Sequence, residues 1–135
     1  MLYHFSENPD IPFFEPRLHT HHPHLKPSVW AINEKCSPLY FFPRDCPRIG
    51  YYQLPTTSKE DHLKFFSNSS ARMIIAVENK WFHKIKEATL CRYHLFEKTF
   101  HLHDEGAGYY LSYTRVVPEK VDHMTDLFKK LLTKI

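Results

Sequence analysis

VWAINEKCSPLYFFPRDCPR, residues 29–48, is the stretch on which the fold turns. Val29, Trp30, Ala31 and Ile32 form an unbroken apolar run, too short for a helix and suited to a strand covered on both faces. Asn33 offers a cap or turn. Ser37 as N-cap, Pro38 at the first helical position and Leu39, Tyr40, Phe41 and Phe42 behind them predict one short helix, which Pro43 stops. Between Pro43 and Pro47 the backbone is stiffened at two points, so Arg44, Asp45 and Arg48 are displayed with little freedom left to lose on binding. Such a loop suits an anionic group. It equally suits a plain surface turn in which Asp45 pairs with one arginine and water takes the other.

Working outward toward the N-terminus, Leu2 to Ser6 reads as a strand with Tyr3 and Phe5 on one face and Leu2, His4 and Ser6 on the other. Asn8, Pro9 and Asp10 make a turn, and Ile11 to Phe14 bring apolar bulk back under it. RLHTHHPHLKP, residues 17–27, has four histidines and little periodicity and reads as an exposed loop.

Toward the C-terminus, strands are expected at Ile49 to Leu54, Arg72 to Glu78, Thr89 to Phe96 and Tyr109 to Val117. In the third of these, Leu90, Arg92 and His94 share one side and Cys91, Tyr93 and Leu95 the other. A turn of helix is expected at Glu60 to Phe66 within a polar excursion, and a short helix at Lys80 to Ala88. DEGAG, residues 104–108, is a loop. Pro118 opens a closing helix whose apolar stripe is Val121, Met124, Phe128, Leu131 and Leu132. The order predicts a single α+β domain over residues 1–135, with strongly curved, mainly antiparallel strands, a few short helices and a C-terminal helix packed across them.

Composition bounds the function. The 135 residues include 42% hydrophobic and 24% charged side chains, which suits one domain with its own core. A net charge of +3 from scattered lysines and arginines does not imply nucleic acid. No long apolar run or charged leader marks the chain for a membrane or for export, and three cysteines without close CxxC spacing predict free thiols in a reducing cytoplasm. Only 3 glycines occur, and no GxGxxG or Walker-type phosphate cradle is among them.

LYHFSENPDIPFFEP at the start, VWAI about 25 residues on, YHLFEKTF and AGYYLSYTRVVP together resemble a small uncharacterised bacterial family, over nearly the whole chain. More distantly, the first two elements look like those of ADP-ribosyltransferase-like folds. That resemblance implies nicotinamide adenine dinucleotide (NAD) as a possible cofactor. It places His4 at the first motif and Trp30 at the second, where many members have tyrosine, and makes Glu105 the nearest match to a third-motif acid. Phe5-Ser6 stands where histidine-type members have Gly-Thr. His4 and Glu105 are thus the catalytic candidates.

The residues point the same way in outline: a cleft lined by His4, Ser6, Trp30, Arg44 and Arg48, with the arginines on phosphate and Trp30, Tyr40 or Tyr110 on a flat ring. Two other readings start from different residues. His19, His21, His22 and His24 in one loop and His101, His103 and Asp104 in another make a metal-binding protein conceivable. The exposed aromatics around Tyr109 and Tyr110 would instead suit a non-catalytic interaction module. Cys46, flanked by Arg44 and Arg48, is a candidate thiolate nucleophile.

Overall fold

The computed structural model of the protein describes residues 1–133. Its main element is a six-stranded sheet of β1 (Leu2–Ser6), β2 (Val29–Ile32), β5 (Leu90–Leu95), β6 (His101–Asp104), β7 (Tyr109–Ser112) and β8 (Lys120–Met124), in the order β6-β7-β2-β1-β5-β8. Every neighbouring pair in it is antiparallel. A separate hairpin joins β3 (Arg48–Tyr52) to β4 (Met73–Val77), with helix α1 (Lys59–Phe66) in its connection. Helices α2 (Phe82–Glu87) and α3 (Leu127–Leu132) complete the α+β architecture. No helix among the described residues is long and apolar enough to cross a membrane.

The two faces of the sheet follow from strand alternation and register. Leu2, His4 and Ser6 pair with Leu95, Tyr93 and Cys91, whereas Tyr3 and Phe5 pair with His94 and Arg92. The back face, carrying Leu2 and His4, buries Val29, Ala31, Cys91, Tyr93 and Leu95 under Phe14 and Val116. Phe14 and Val116 bridge each other through both backbone bonds, at 2.8 and 3.0 Å. The front face, carrying Tyr3 and Phe5, buries Leu90 and Met124 under Phe41, Phe42, Cys46, Ile85 and Leu127. Each core holds several fully buried apolar side chains, worth about 1.5–3 kcal/mol apiece.

Local signals account for most elements. Pro38 opens a single 3-10 turn over Ser37–Tyr40, shorter than the expected helix; Cys36 rather than Ser37 holds the cap position, because the Ser37 hydroxyl donates back to the Glu34 carbonyl at 2.8 Å, and Pro43 lies beyond the turn's end. Ser58 caps α1 by accepting from the Asp61 N–H at 3.1 Å. The closing segment departs from expectation. Residues 120–124 form edge strand β8, and the terminal helix begins only at Leu127, behind an Asp126 cap. Val121 and Met124 fit a helical stripe, but they also fit a strand next to β5, where Val121 faces Tyr93 and Asp122 faces Arg92. Tertiary pairing decided between the two readings.

Candidate functional site

β1 and β2 pair at one position only, Tyr3 opposite Ile32, while β1 runs beside β5 for five. Beyond Tyr3 the two central strands part. Alternate residues of β2 turn their backbone groups toward the gap, and each is met differently. Ile32 faces Tyr3, the Trp30 carbonyl accepts from His4 Nδ1 at 3.2 Å, and Ser28 exchanges two backbone bonds with Arg17 at 2.9 and 3.1 Å. The His4 ring therefore stands in for a ladder bond and holds the strands apart.

A carbonyl only accepts, so Nδ1 carries the proton and Nε2 keeps its lone pair. Burial lowers the His4 pKa from its ordinary 6.5; the Trp30 carbonyl opposes this, and the fields of Arg17 and Arg44 lower it further. The ring is neutral at pH 7. Among the described residues no fully buried side-chain nitrogen or oxygen lacks a partner, so the unbonded Nε2 of the half-buried His4 is not sealed from solvent. On its other side the ring packs on Phe14, centroids 4.5 Å apart. Neither Arg17 nor Arg44 forms an ion pair with a described carboxylate. Arg44 is anchored through its backbone N–H, which donates to Glu7 at 3.2 Å, leaving the guanidinium exposed.

The other expected site residues are distributed differently from a single cleft. Trp30 projects from the front face, opposite His4, where His19, His22, His103 and Tyr109 surround its ring with centroids 4.5 to 5.7 Å away. Ser6 is spent on the turn after β1, accepting from the Asn8 N–H at 3.1 Å. Tyr110 packs on the back-face core. Glu105 is exposed in the β6–β7 turn, where its field bears on Tyr52.

Arg48 is turned away from His4. Its Nε donates to the Leu39 carbonyl at 2.6 Å and its Nη1 to the Cys46 carbonyl at 3.0 Å, with the guanidinium 5.5 Å from both the Tyr40 and Phe42 rings. Arginine and proline together make the 38–48 loop rigid. Tyr40 stacks on Phe5 and its hydroxyl bonds that of Tyr109. Cys46 is buried, and burial raises its thiol pKa although Arg48 pulls the other way, so it stays protonated and is no activated nucleophile. The histidines of the two clusters do not converge on a metal: among the described residues no three His, Cys, Asp or Glu side chains could hold one.

Sequence reasoning missed two groups. Arg17 lies at the edge of the histidine-rich loop, and nothing in its neighbours says that it re-pairs β2. The second group is a polar network on the front face. The Asp122 carboxylate accepts from His94 Nε2 at 2.5 Å and from Arg92 Nη2 at 2.9 Å. Tyr3 covers both partners, 5.0 Å from the His94 ring and 5.2 Å from the Arg92 guanidinium, and bonds Glu34. Burial raises the Asp122 pKa, but the bonds from His94 and Arg92 outweigh it and hold the carboxyl below its ordinary value. The shared face of Arg92 and His94 was legible; their partner was hidden by the helical reading of residues 120–124.

No curated protein and no solved structure matches the chain. Residues 3–134 match the model of a family of unknown function, DUF6886, and the chain belongs to that family.

Proposed function

We propose that the protein binds a nucleotide-like ligand where β1 and β2 part, through a ribose hydroxyl and a phosphate. The observation that supports this is the state of His4: a neutral imidazole fixed by the Trp30 carbonyl, its Nε2 lone pair open, beside two arginines that no described carboxylate neutralises. A bare Nε2 accepts from a hydroxyl, and guanidiniums take phosphate in charge-assisted pairs. The resemblance to ADP-ribosyltransferase-like folds nominates NAD as one member of the class. Glu105 stands in the β6–β7 turn rather than beside His4, which favours binding over group transfer.

Thermal melting with NAD, adenosine monophosphate, ribose 5-phosphate and inorganic phosphate tests the reading. A ligand held at about 100 times its Kd adds about 2.7 kcal/mol of stability, a rise of several degrees. The rise is expected to vanish in His4→Ala combined with Arg44→Ala, and to shrink in Arg17→Ala. A panel that leaves the wild-type midpoint where it was would refute the proposal.

A further inference from the structure

The geometry points to a second, separate binding site, for a small planar carboxylate, in the cavity beneath the rigid loop. This cavity, of about 280 Å³, is lined by Leu39, Tyr40, Cys46, Arg48 and Gly50. It lies on the front-face side, where Tyr40 stacks on Phe5, whereas His4 belongs to the back face. None of His4, Arg17 and Arg44 lines it.

Three features define the occupant. First, Arg48 is a preorganised cation. Two of its five N–H groups are fixed on the Leu39 and Cys46 carbonyls, which leaves both hydrogens of Nη2 and one of Nη1 for a ligand. Glu78, whose field reaches Cys46, pairs with Lys80 at 3.2 Å, and no described carboxylate forms an ion pair with Arg48. A planar guanidinium with donors to spare can hold a planar carboxylate through two parallel bonds.

Second, the other side chains of the wall offer no free donor, the Cys46 thiol donating to the Pro47 carbonyl. The Leu39 side chain and the Tyr40 ring present hydrocarbon, the Tyr40 hydroxyl is bonded to Tyr109, and the Cys46 thiol is kept neutral by burial. Nothing there offers the additional donors that a phosphate needs. Third, the volume falls just below the usual range of ligand pockets, about 300–1,000 Å³, and so admits one ring rather than a nucleotide. A monocyclic carboxylate, with the carboxylate on Arg48 and the ring against Tyr40 and Leu39, satisfies all three.

Gly50 supplies an independent handle. A Cβ built there would lie 2.1 Å from Leu39 Cδ2, so Gly50→Ala must displace the Leu39 side chain that lines the cavity, a change that removes none of the Arg48 donors. Calorimetric titration of the full chain with benzoate, and separately with inorganic phosphate, is the experiment. Expected are saturable benzoate binding to the wild type, at least about tenfold weaker phosphate binding, and loss of benzoate binding, by about tenfold or more, in both Arg48→Met and Gly50→Ala. If Arg48→Met fails to fold, Gly50→Ala alone decides. Absence of saturable benzoate binding overturns the inference, as does undiminished binding by Gly50→Ala. Either failure leaves the nucleotide proposal untouched, because the His4→Ala and Arg44→Ala substitutions lie outside this cavity.

Discussion

Replacing Asp122 with alanine is expected to destabilise the protein by about 2–4 kcal/mol, lowering the melting midpoint by roughly 10 °C. The side chain accepts from both His94 and Arg92, whose side chains are only 9% and 22% exposed, so its removal strands two donors in a poorly hydrated place. Asp122 itself is 34% exposed, which is why the figure stays below that for a fully buried pair. Asp122→Asn retains one acceptor oxygen and should lose about half as much. Chemical denaturation of the three proteins at pH 7 measures the series.

The same network sets part of the acid limb. The folded pKa of Asp122 lies below its unfolded value, so its contribution is complete above about pH 4 and is lost as the pH falls through the folded pKa. His4 and His19 act at higher pH. Their folded pKa values are also depressed, chiefly by burial, so the unfolded chain takes up protons first and stability declines as the pH drops below about 6.5. Two separable declines should therefore appear in a plot of stability against pH, and Asp122→Asn should flatten only the lower one.

The second large effect is expected at Gly108. Its φ of +70° is left-handed, and an added Cβ would lie 2.6 Å from Asn33 Oδ1 and 2.8 Å from Cys36 Sγ. Left-handed backbone costs a non-glycine residue about 1–2 kcal/mol, and forcing a methyl into packed atoms about 1–3 more. Gly108→Ala should thus lose about 2–5 kcal/mol. The position matters because it closes a corner: the Gly108 carbonyl accepts from the Asn33 N–H at 3.0 Å, and Asn33 Oδ1 accepts from the Cys36 N–H at 2.9 Å, just ahead of the arginine loop. Gly106, two residues earlier, would meet only Asp104 Oδ1 at 3.4 Å, so Gly106→Ala should change stability by no more than about 0.5 kcal/mol. Parallel melts of the two alanine variants give the comparison.

These cases show where the sequence was readable. β1, β2 and β5 were legible from alternation and an apolar run, including which side chains share a face, because a period of two leaves no freedom in that assignment. The 3-10 turn and the stiff loop were legible from proline. β8 was not, since Val121 and Met124 satisfy a helical spacing and only the proximity of β5 favours a strand. The difference between Gly106 and Gly108 was not legible either: both lie in one DEGAG loop, and what separates them is the approach of Asn33 and Cys36 from elsewhere in the chain.

The candidate site was half visible. The field of Arg44 in the loop reaches His4 on the first strand, about forty residues away in sequence. Arg48, equally prominent in the sequence, turns to the carbonyls of its own loop, and Arg17 from the histidine-rich segment stands at the gap instead. Backbone carbonyls as arginine partners leave no trace in residue order.

The decisive measurement is an NMR titration of the His4 ring, assigned by comparison with His4→Gln, in the wild type and in Arg17→Ala combined with Arg44→Ala. The wild-type midpoint should fall below about 6.5, rise when both arginines are removed, and rise in the wild type when inorganic phosphate is added to neutralise the arginines. A midpoint at or above the ordinary histidine value, indifferent to both arginines and to the phosphate, would mean that these three side chains do not share a binding cleft.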